Sequence, residues 1–131
     1  MAQALNILIV DDSVMMRTLI KRVARLSQVP LGEIYEASNG AEAIDVLERH
    51  DVHAIFTDIN MPVMSGTELL REIGRRECWK HLIRVIVSTD GSSARREEVR
   101  DLQVQLYVEK PFRPEVMRDV LSQVAACPEP R

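Results

Sequence analysis

Aromatic residues are scarce: two Phe, two Tyr and one Trp make up 4% of the 131 residues. No basic excess exists either, since 17 Lys and Arg stand against 20 Asp and Glu for a net charge of −3. These two shortages argue against a basic surface on which bases stack, so no nucleic-acid partner is expected, while a local basic patch on one face stays open. No apolar run approaches the roughly 18 residues of a membrane span. The chain does not open on a basic stretch, an apolar run and a small-residue cleavage site. Neither membrane insertion nor export is therefore expected. The two cysteines, Cys78 and Cys127, lack metal-ligand spacing to each other and to His50, His53 and His81. They read as free thiols of a reducing cytoplasm, with a disulfide as the unsupported alternative. A Gly-rich phosphate loop of either standard spacing is missing, which argues against a nucleotide-binding module.

What is present suits one soluble domain over residues 1–131, with 46% hydrophobic and 28% charged residues. Apolar runs of strand length alternate with amphipathic stretches. Residues 6–10 are nearly all aliphatic, as in a strand buried on both faces. Ser13 can cap a following helix, in which Val14, Leu19, Val23 and Leu26 lie near helical spacing. Further strands are expected at 33–37, 52–57, 83–88 and 104–108. Helices are expected from the Ser38-Asn39-Gly40 turn to about residue 50, over 65–75, over 92–102, and from Pro114 through Val116, Val120, Leu121 and Val124. Such alternation predicts an α/β fold, a parallel sheet of five strands doubly wound with helices on both faces.

Ligands of such sheets bind beyond the carboxyl ends of the strands. Asp11 and Asp12 directly follow the first predicted strand, Asp58 the third, Ser88 ends the fourth and Lys110 follows the fifth. All five therefore fall at one sheet edge. The three aspartates equal the whole formal charge excess of the chain. Converging carboxylates repel one another unless a cation neutralises them. Hard oxygen donors favour Mg²⁺, with Mn²⁺ as the substitute, and such a metal also holds a phosphoryl group for in-line attack. Taken singly, each residue has a plainer reading: a turn aspartate, a helix N-terminal acidic pair, a strand-end hydroxyl, a solvated lysine. Their conjunction is what points to chemistry. Met15, Met16 and Met61 read as packing. Arg95 and Arg96 read as a solvated helix face, with a share in a partner-binding surface near Tyr107 as the alternative, and Trp79 falls in a polar stretch with no assigned role.

The segments Ile7-Leu8-Ile9-Val10-Asp11-Asp12-Ser13, Thr57-Asp58-Ile59-Asn60-Met61-Pro62, Met64-Ser65-Gly66, Val87-Ser88-Thr89 and Lys110-Pro111-Phe112 occur in this order. The ordered set resembles the receiver domains of two-component response regulators, in particular the single-domain CheY-like kind, over about the whole chain. The resemblance implies a strand order of 2-1-3-4-5. It implies phosphorylation of Asp58, direct metal ligation by Asp12, Asp58 and the Asn60 carbonyl, and support from Asp11 through water. Ser88 would be the switch hydroxyl, Lys110 the cation that grips phosphoryl oxygens, and Tyr107 the aromatic that follows the hydroxyl. The spacing to Lys110 selects Ser88 over Thr89. The Lys110–Pro111 bond is expected to be cis. The implied partners are a sensor histidine kinase and a downstream protein, either a flagellar motor or a phosphorelay protein, with a cytoplasmic, monomeric or weakly dimeric regulator.

Departures stand beside the resemblance. Gln103-Val104 occupies the place where the family often carries Gly-Ala, and Thr89 a place usually held by Ala or Gly. Asn60 and Asp90 flank the approach of a hydrolytic water, which implies fast dephosphorylation. A phosphatase of the haloacid dehalogenase type would want a second Asp where Asn60 stands. The chain ends at Arg131, soon after the last helix, so output is expected through a protein contact.

Overall fold

Four consecutive aliphatic residues, Ile7 to Val10, are all buried. This happens because their strand lies inside the sheet and is covered on both faces. The computed structural model describes residues 4–126. Its strands are β1 (Leu5–Val10), β2 (Leu31–Ala37), β3 (Ala54–Thr57), β4 (Ile83–Ser88) and β5 (Leu106–Glu109). Its helices are α1 (Val14–Leu26), α2 (Gly40–Arg49), α3 (Gly66–Gly74), α4 (Ser93–Glu98) and α5 (Pro114–Ala126). Short 3₁₀ turns cover Glu77–Trp79 and Arg100–Leu102. All pairings are parallel, and the order is β2-β1-β3-β4-β5, as the resemblance implied.

Alternating side chains split the core in two. Ile7, Ile9, Phe56, Val85 and Val87 pack with Ile20, Val23, Met117 and Leu121 of α1 and α5. Leu8, Val10, Ile55 and Ile86 pack with Ala43, Leu47, Leu69 and Ile73 of α2 and α3 on the other face. Side-chain caps fix where helices start. Ser13, Asn39, Ser65 and Ser92 each accept a backbone N–H of the first turn, and Ser65 with Glu68 completes a capping box. Such caps are worth about 1 kcal/mol each.

Several expected boundaries move. β2 begins at Leu31 rather than 33, and β3 at Ala54 rather than 52. Val52 is buried, yet it plugs the core ahead of the ladder. α4 stops at Glu98 because its sequence, SARREE, offers no apolar stripe, and the chain tightens into a 3₁₀ turn. Gln103 then adopts a left-handed conformation (φ 59°), so β5 starts at Leu106 rather than 104. Trp79 is not a loop residue without a role. It is buried in the second core with the Arg76 guanidinium 4.7 Å from its ring centroid. Met15 does not pack, being 85% exposed, whereas Met16 and Met61 do. Cys78 is exposed and free, and Cys127 lies outside the described residues.

Val63, between β3 and α3, has a φ of 68° while 81% exposed. A β-branched side chain is disfavoured there by contact with the following carbonyl, and exposure offers no packing in return. Val63→Asn should raise the unfolding free energy by about 1 kcal/mol, read as a higher urea midpoint at unchanged slope. An unchanged or lower midpoint would refute the strain.

Candidate functional site

The ladder brings the strand ends into line. The Asp58 N–H donates to the Val10 carbonyl (2.9 Å), the Asp11 N–H to the Ala37 carbonyl (3.1 Å), and the Lys110 N–H to the Ser88 carbonyl (2.8 Å). Asp11, Asp58, Ser88 and Lys110 thus stand at the carboxyl edge of four adjacent strands. The Lys110–Pro111 peptide is cis.

Lys110 Nζ donates to Asp11 Oδ2 at 2.6 Å and to Asp58 Oδ2 at 3.1 Å. The other carboxylate oxygens are held by backbone: Ser13 N–H donates to Asp11 Oδ1 (2.9 Å) and Ile59 N–H to Asp58 Oδ1 (2.7 Å). Each carboxylate therefore has one oxygen oriented by the chain and one facing the ammonium. Burial alone would lower the Lys110 pKa. The hydrogen bond to Asp11 and the charges of Asp58 and Asp11 outweigh that and hold it above the ordinary lysine value. Lys110 stays charged at neutral pH.

Asp12 is exposed and makes no ion pair among the described residues. Carboxylate oxygens of Asp11, Asp12 and Asp58 all lie within 4.8 Å of one another. One ammonium cannot neutralise three carboxylates, so the cleft retains a negative excess that suits a hard divalent cation. Asn60 is exposed, two residues beyond Asp58.

Ser88 is fully buried, and its hydroxyl accepts the Asp90 N–H at 3.2 Å. The adjacent Thr89 is exposed. The half-buried Tyr107 donates its hydroxyl to the Asp90 carbonyl. Burial first, then the Asp90 charge, raises the Tyr107 pKa above the ordinary tyrosine value. The Arg96 guanidinium lies 4.3 Å from the Tyr107 ring centroid and pairs with Glu109 at 3.2 Å, so Arg96 is not merely solvated. The Asp90 carboxylate accepts from Ser92 N–H (3.1 Å) and pairs with Arg95 (3.2 Å). It is committed to the start of α4.

Sequence reasoning did not assign two supporting residues. Arg17 Nη1 donates to the Asp11 carbonyl at 2.5 Å, while its Nε pairs with Glu36 at 3.2 Å, fixing α1 and β2 against the site. Gly66 donates to the Ile59 carbonyl at 2.7 Å, and a Cβ there would fall 1.9 Å from the Asp58 carbonyl oxygen. Helical spacing marks Arg17 as one turn into α1, but its reach to Asp11 is visible only in three dimensions.

Residues 7–122 match the family model described as the response regulator receiver domain. The chain is 34% identical over 121 residues to a chemotaxis protein CheY homolog of Campylobacter jejuni, covering 92% of each. It is 32% identical over 121 residues to chemotaxis protein CheY1 of Helicobacter pylori, covering 92% of this chain and 96% of that one. The solved structure of Vibrio cholerae chemotaxis protein CheY4 superposes with a TM-score of 0.84 at 25% identity, covering 93% of this chain and 99% of that one.

Gly66→Ala forces the β3–α3 loop away from the Asp58 backbone. We expect a loss of about 2 kcal/mol or more in unfolding free energy, with the largest amide chemical-shift changes at Asp58 and Ile59. A variant of normal stability with unmoved amides at those positions would contradict the close approach.

Proposed function

The chain belongs to the family of response regulator receiver domains, and on that premise we propose that it accepts a phosphoryl group on Asp58 from a sensor histidine kinase and signals to a protein partner. The observation that carries this reading is the placement of Asp58 beside Lys110 and two further carboxylates at one sheet edge. Asp11, Asp12 and Asp58, with the nearby Asn60 carbonyl, would hold Mg²⁺ or Mn²⁺. Bound there, the metal screens carboxylate charge from the incoming phosphoryl oxygens.

Asp58 attacks through Oδ2, the oxygen that faces Lys110. Its Oδ1 stays anchored by the Ile59 N–H. A new O–P bond forms as the P–N bond of phosphohistidine breaks, and the imidazole leaves with the bonding electron pair. Lys110 then exchanges a carboxylate contact for phosphoryl oxygens. Exposed Val14, Met15 and Val63 lie on segments leaving this edge and offer apolar contact to the donor protein.

Phosphorylation adds about −1.5 to −2 charge and new acceptor oxygens. Lys110 and the Ser88 hydroxyl would form charge-assisted bonds worth about 1.5–3 kcal/mol each. Shifting a two-state population from 1:99 to 99:1 takes about 5.5 kcal/mol, so two such bonds are of the right size. A Ser88 hydroxyl that swings toward a phosphoryl oxygen would move off the Asp90 N–H and so loosen the carbonyl that Tyr107 holds. The output surface is then the one around Tyr107, α4 and α5. The chemotaxis proteins among its relatives favour a motor-type target. A phosphorelay role differs only in which protein receives the phosphoryl group.

With acetyl phosphate and Mg²⁺, the wild type should form an acid-stable, hydroxylamine-labile adduct that Asp58→Asn does not. Adduct formation on the variant, or none on the wild type, would sink the assignment. Asp58→Asn should also melt higher than the wild type without divalent metal, with the gap closing as Mg²⁺ is added. A gap insensitive to Mg²⁺ would place the metal elsewhere. Ser88→Ala should still phosphorylate, yet its phosphorylation-dependent gain in partner affinity should fall about tenfold. A full gain in that variant would remove Ser88 from the switch.

A further inference from the structure

Arg84 is the largest fully buried side chain, 2% exposed, in the first half of β4. Its Nη1 donates to Gln103 Oε1 (2.8 Å) and the Leu102 carbonyl (3.5 Å), and its Nη2 to the Trp79 carbonyl (3.2 Å). Every acceptor is neutral. The Nε has no partner, and no carboxylate among the described residues pairs with the guanidinium. Burial pulls its pKa below the ordinary arginine value. Buried charges are normally paired, because an unpaired one loses its hydration without a counter-charge in return.

The same arginine lines a groove of about 290 Å³ with Arg71, Gly74, Arg75, Asp101 and Gln103. Arg71 makes no ion pair among the described residues, and Arg75 shares its charge with Glu72 at 3.1 Å. With Arg75 matched by Glu72, Arg71 and the buried Arg84 face one lining carboxylate, Asp101, which is 92% exposed and lies 4.0 Å from Arg100. The α3 C-terminus also lies here, and its carbonyls repel an anion. Attraction must come from Arg71 and Arg84, with Asp101 drawn away toward Arg100 and solvent. The chain as a whole carries −3, so a cationic groove runs against its general charge. The volume lies below that of drug-sized sites, which favours a small ligand.

We propose that this groove, between α3 and the Arg100–Leu102 turn, binds a small oxyanion carried by a phosphoryl or carboxyl group, with Arg71 and Arg75 in contact and Arg84 as the charged floor. It is a second site. Arg84 precedes Ser88 by four residues on β4, about 13 Å along the strand from the phosphorylation edge. The inference does not rest on that edge being phosphorylated.

The full chain, free of Mg²⁺, is titrated with sodium phosphate and separately with sodium acetate, using NaCl to hold ionic strength, while ¹H–¹⁵N spectra are recorded. Saturable shifts at Gly74, Gln103 and the Arg84 Nε are expected. Tighter phosphate than acetate binding assigns the groove to phosphoryl ligands, and the reverse order to carboxylates. Arg71→Gln should weaken binding about tenfold, and Asp101→Asn should strengthen it. Arg84→Met should melt higher than the wild type without phosphate and gain nothing from phosphate, whereas the wild type gains. Should Arg84→Met fail to fold, the surface variants Arg71→Gln and Asp101→Asn decide alone. Non-saturable shifts, equal effects of chloride, affinities untouched by Arg71→Gln, or shifts centred on Asp58 and Lys110 mean an adventitious ion only and overturn the proposal.

Discussion

The Lys110 ammonium, fixed between Asp11 at 2.6 Å and Asp58 at 3.1 Å, is the interaction on which the carboxyl edge depends. Two like charges about 4.8 Å apart repel by about 3–4 kcal/mol at an effective dielectric constant near 20. Asp11, Asp12 and Asp58 approach one another to that distance. Without a cation the three strand ends would be pushed apart at the point where the sheet's register brings them together. Lys110 removes the repulsion between the two less exposed carboxylates and leaves Asp12 facing solvent. The cleft is stable enough to fold, yet it keeps a negative excess.

The same lysine ties the acidic edge to β4 and β5. Its backbone N–H bonds to the Ser88 carbonyl, while the Ser88 hydroxyl accepts from Asp90, whose carbonyl accepts from Tyr107. Arg95 and Arg96 then tie α4 to Asp90, Glu109 and the Tyr107 ring. α4 buries no residue and is held mainly by these polar contacts. An element with little apolar burial opens at low free-energy cost. On the proposed function, this is why a change at one hydroxyl is enough to reshape a surface a helix away.

The fold was legible where local and global signals agreed. The aliphatic runs of β1 and β4, the Ser and Asn caps, and the alternation of periods led directly to a parallel sheet and to the edge where Asp11, Asp12, Asp58, Ser88 and Lys110 meet. Boundaries moved where tertiary contacts set them. Val52 reads as strand because it is apolar, but burial alone does not create ladder bonds. Trp79 reads as loop because its neighbours are polar, yet its ring fills the second core beneath Arg76. Arg17 gave no local sign of reaching Asp11, since the contact spans a turn of helix and a strand end.

Gln103 and Arg84 show why a residue that breaks a local rule can be read only with its distant partner. A left-handed residue at the end of the Arg100–Leu102 turn favours glycine, the residue the family often has there, and a side chain costs about 1–2 kcal/mol. The glutamine keeps that backbone conformation and uses its side-chain oxygen to accept from the buried Arg84 guanidinium. A hydrogen bond to a charged group contributes about 1.5–3 kcal/mol, enough to offset the strain. Gln105 adds a second tie, accepting the Arg84 backbone N–H at 2.7 Å while its own N–H donates to the Arg84 carbonyl at 2.9 Å. At Gln103 the turn thus has a left-handed backbone and a side chain that holds Arg84. Glycine at 103 would relax the backbone and strip a neutral acceptor from a guanidinium that already lacks a counter-ion. Taken alone, Gln103 is a poor choice for its turn and Arg84 a poor choice for a central strand. Together they form the polar floor of the groove at the amino edge of the sheet, opposite the acidic cleft.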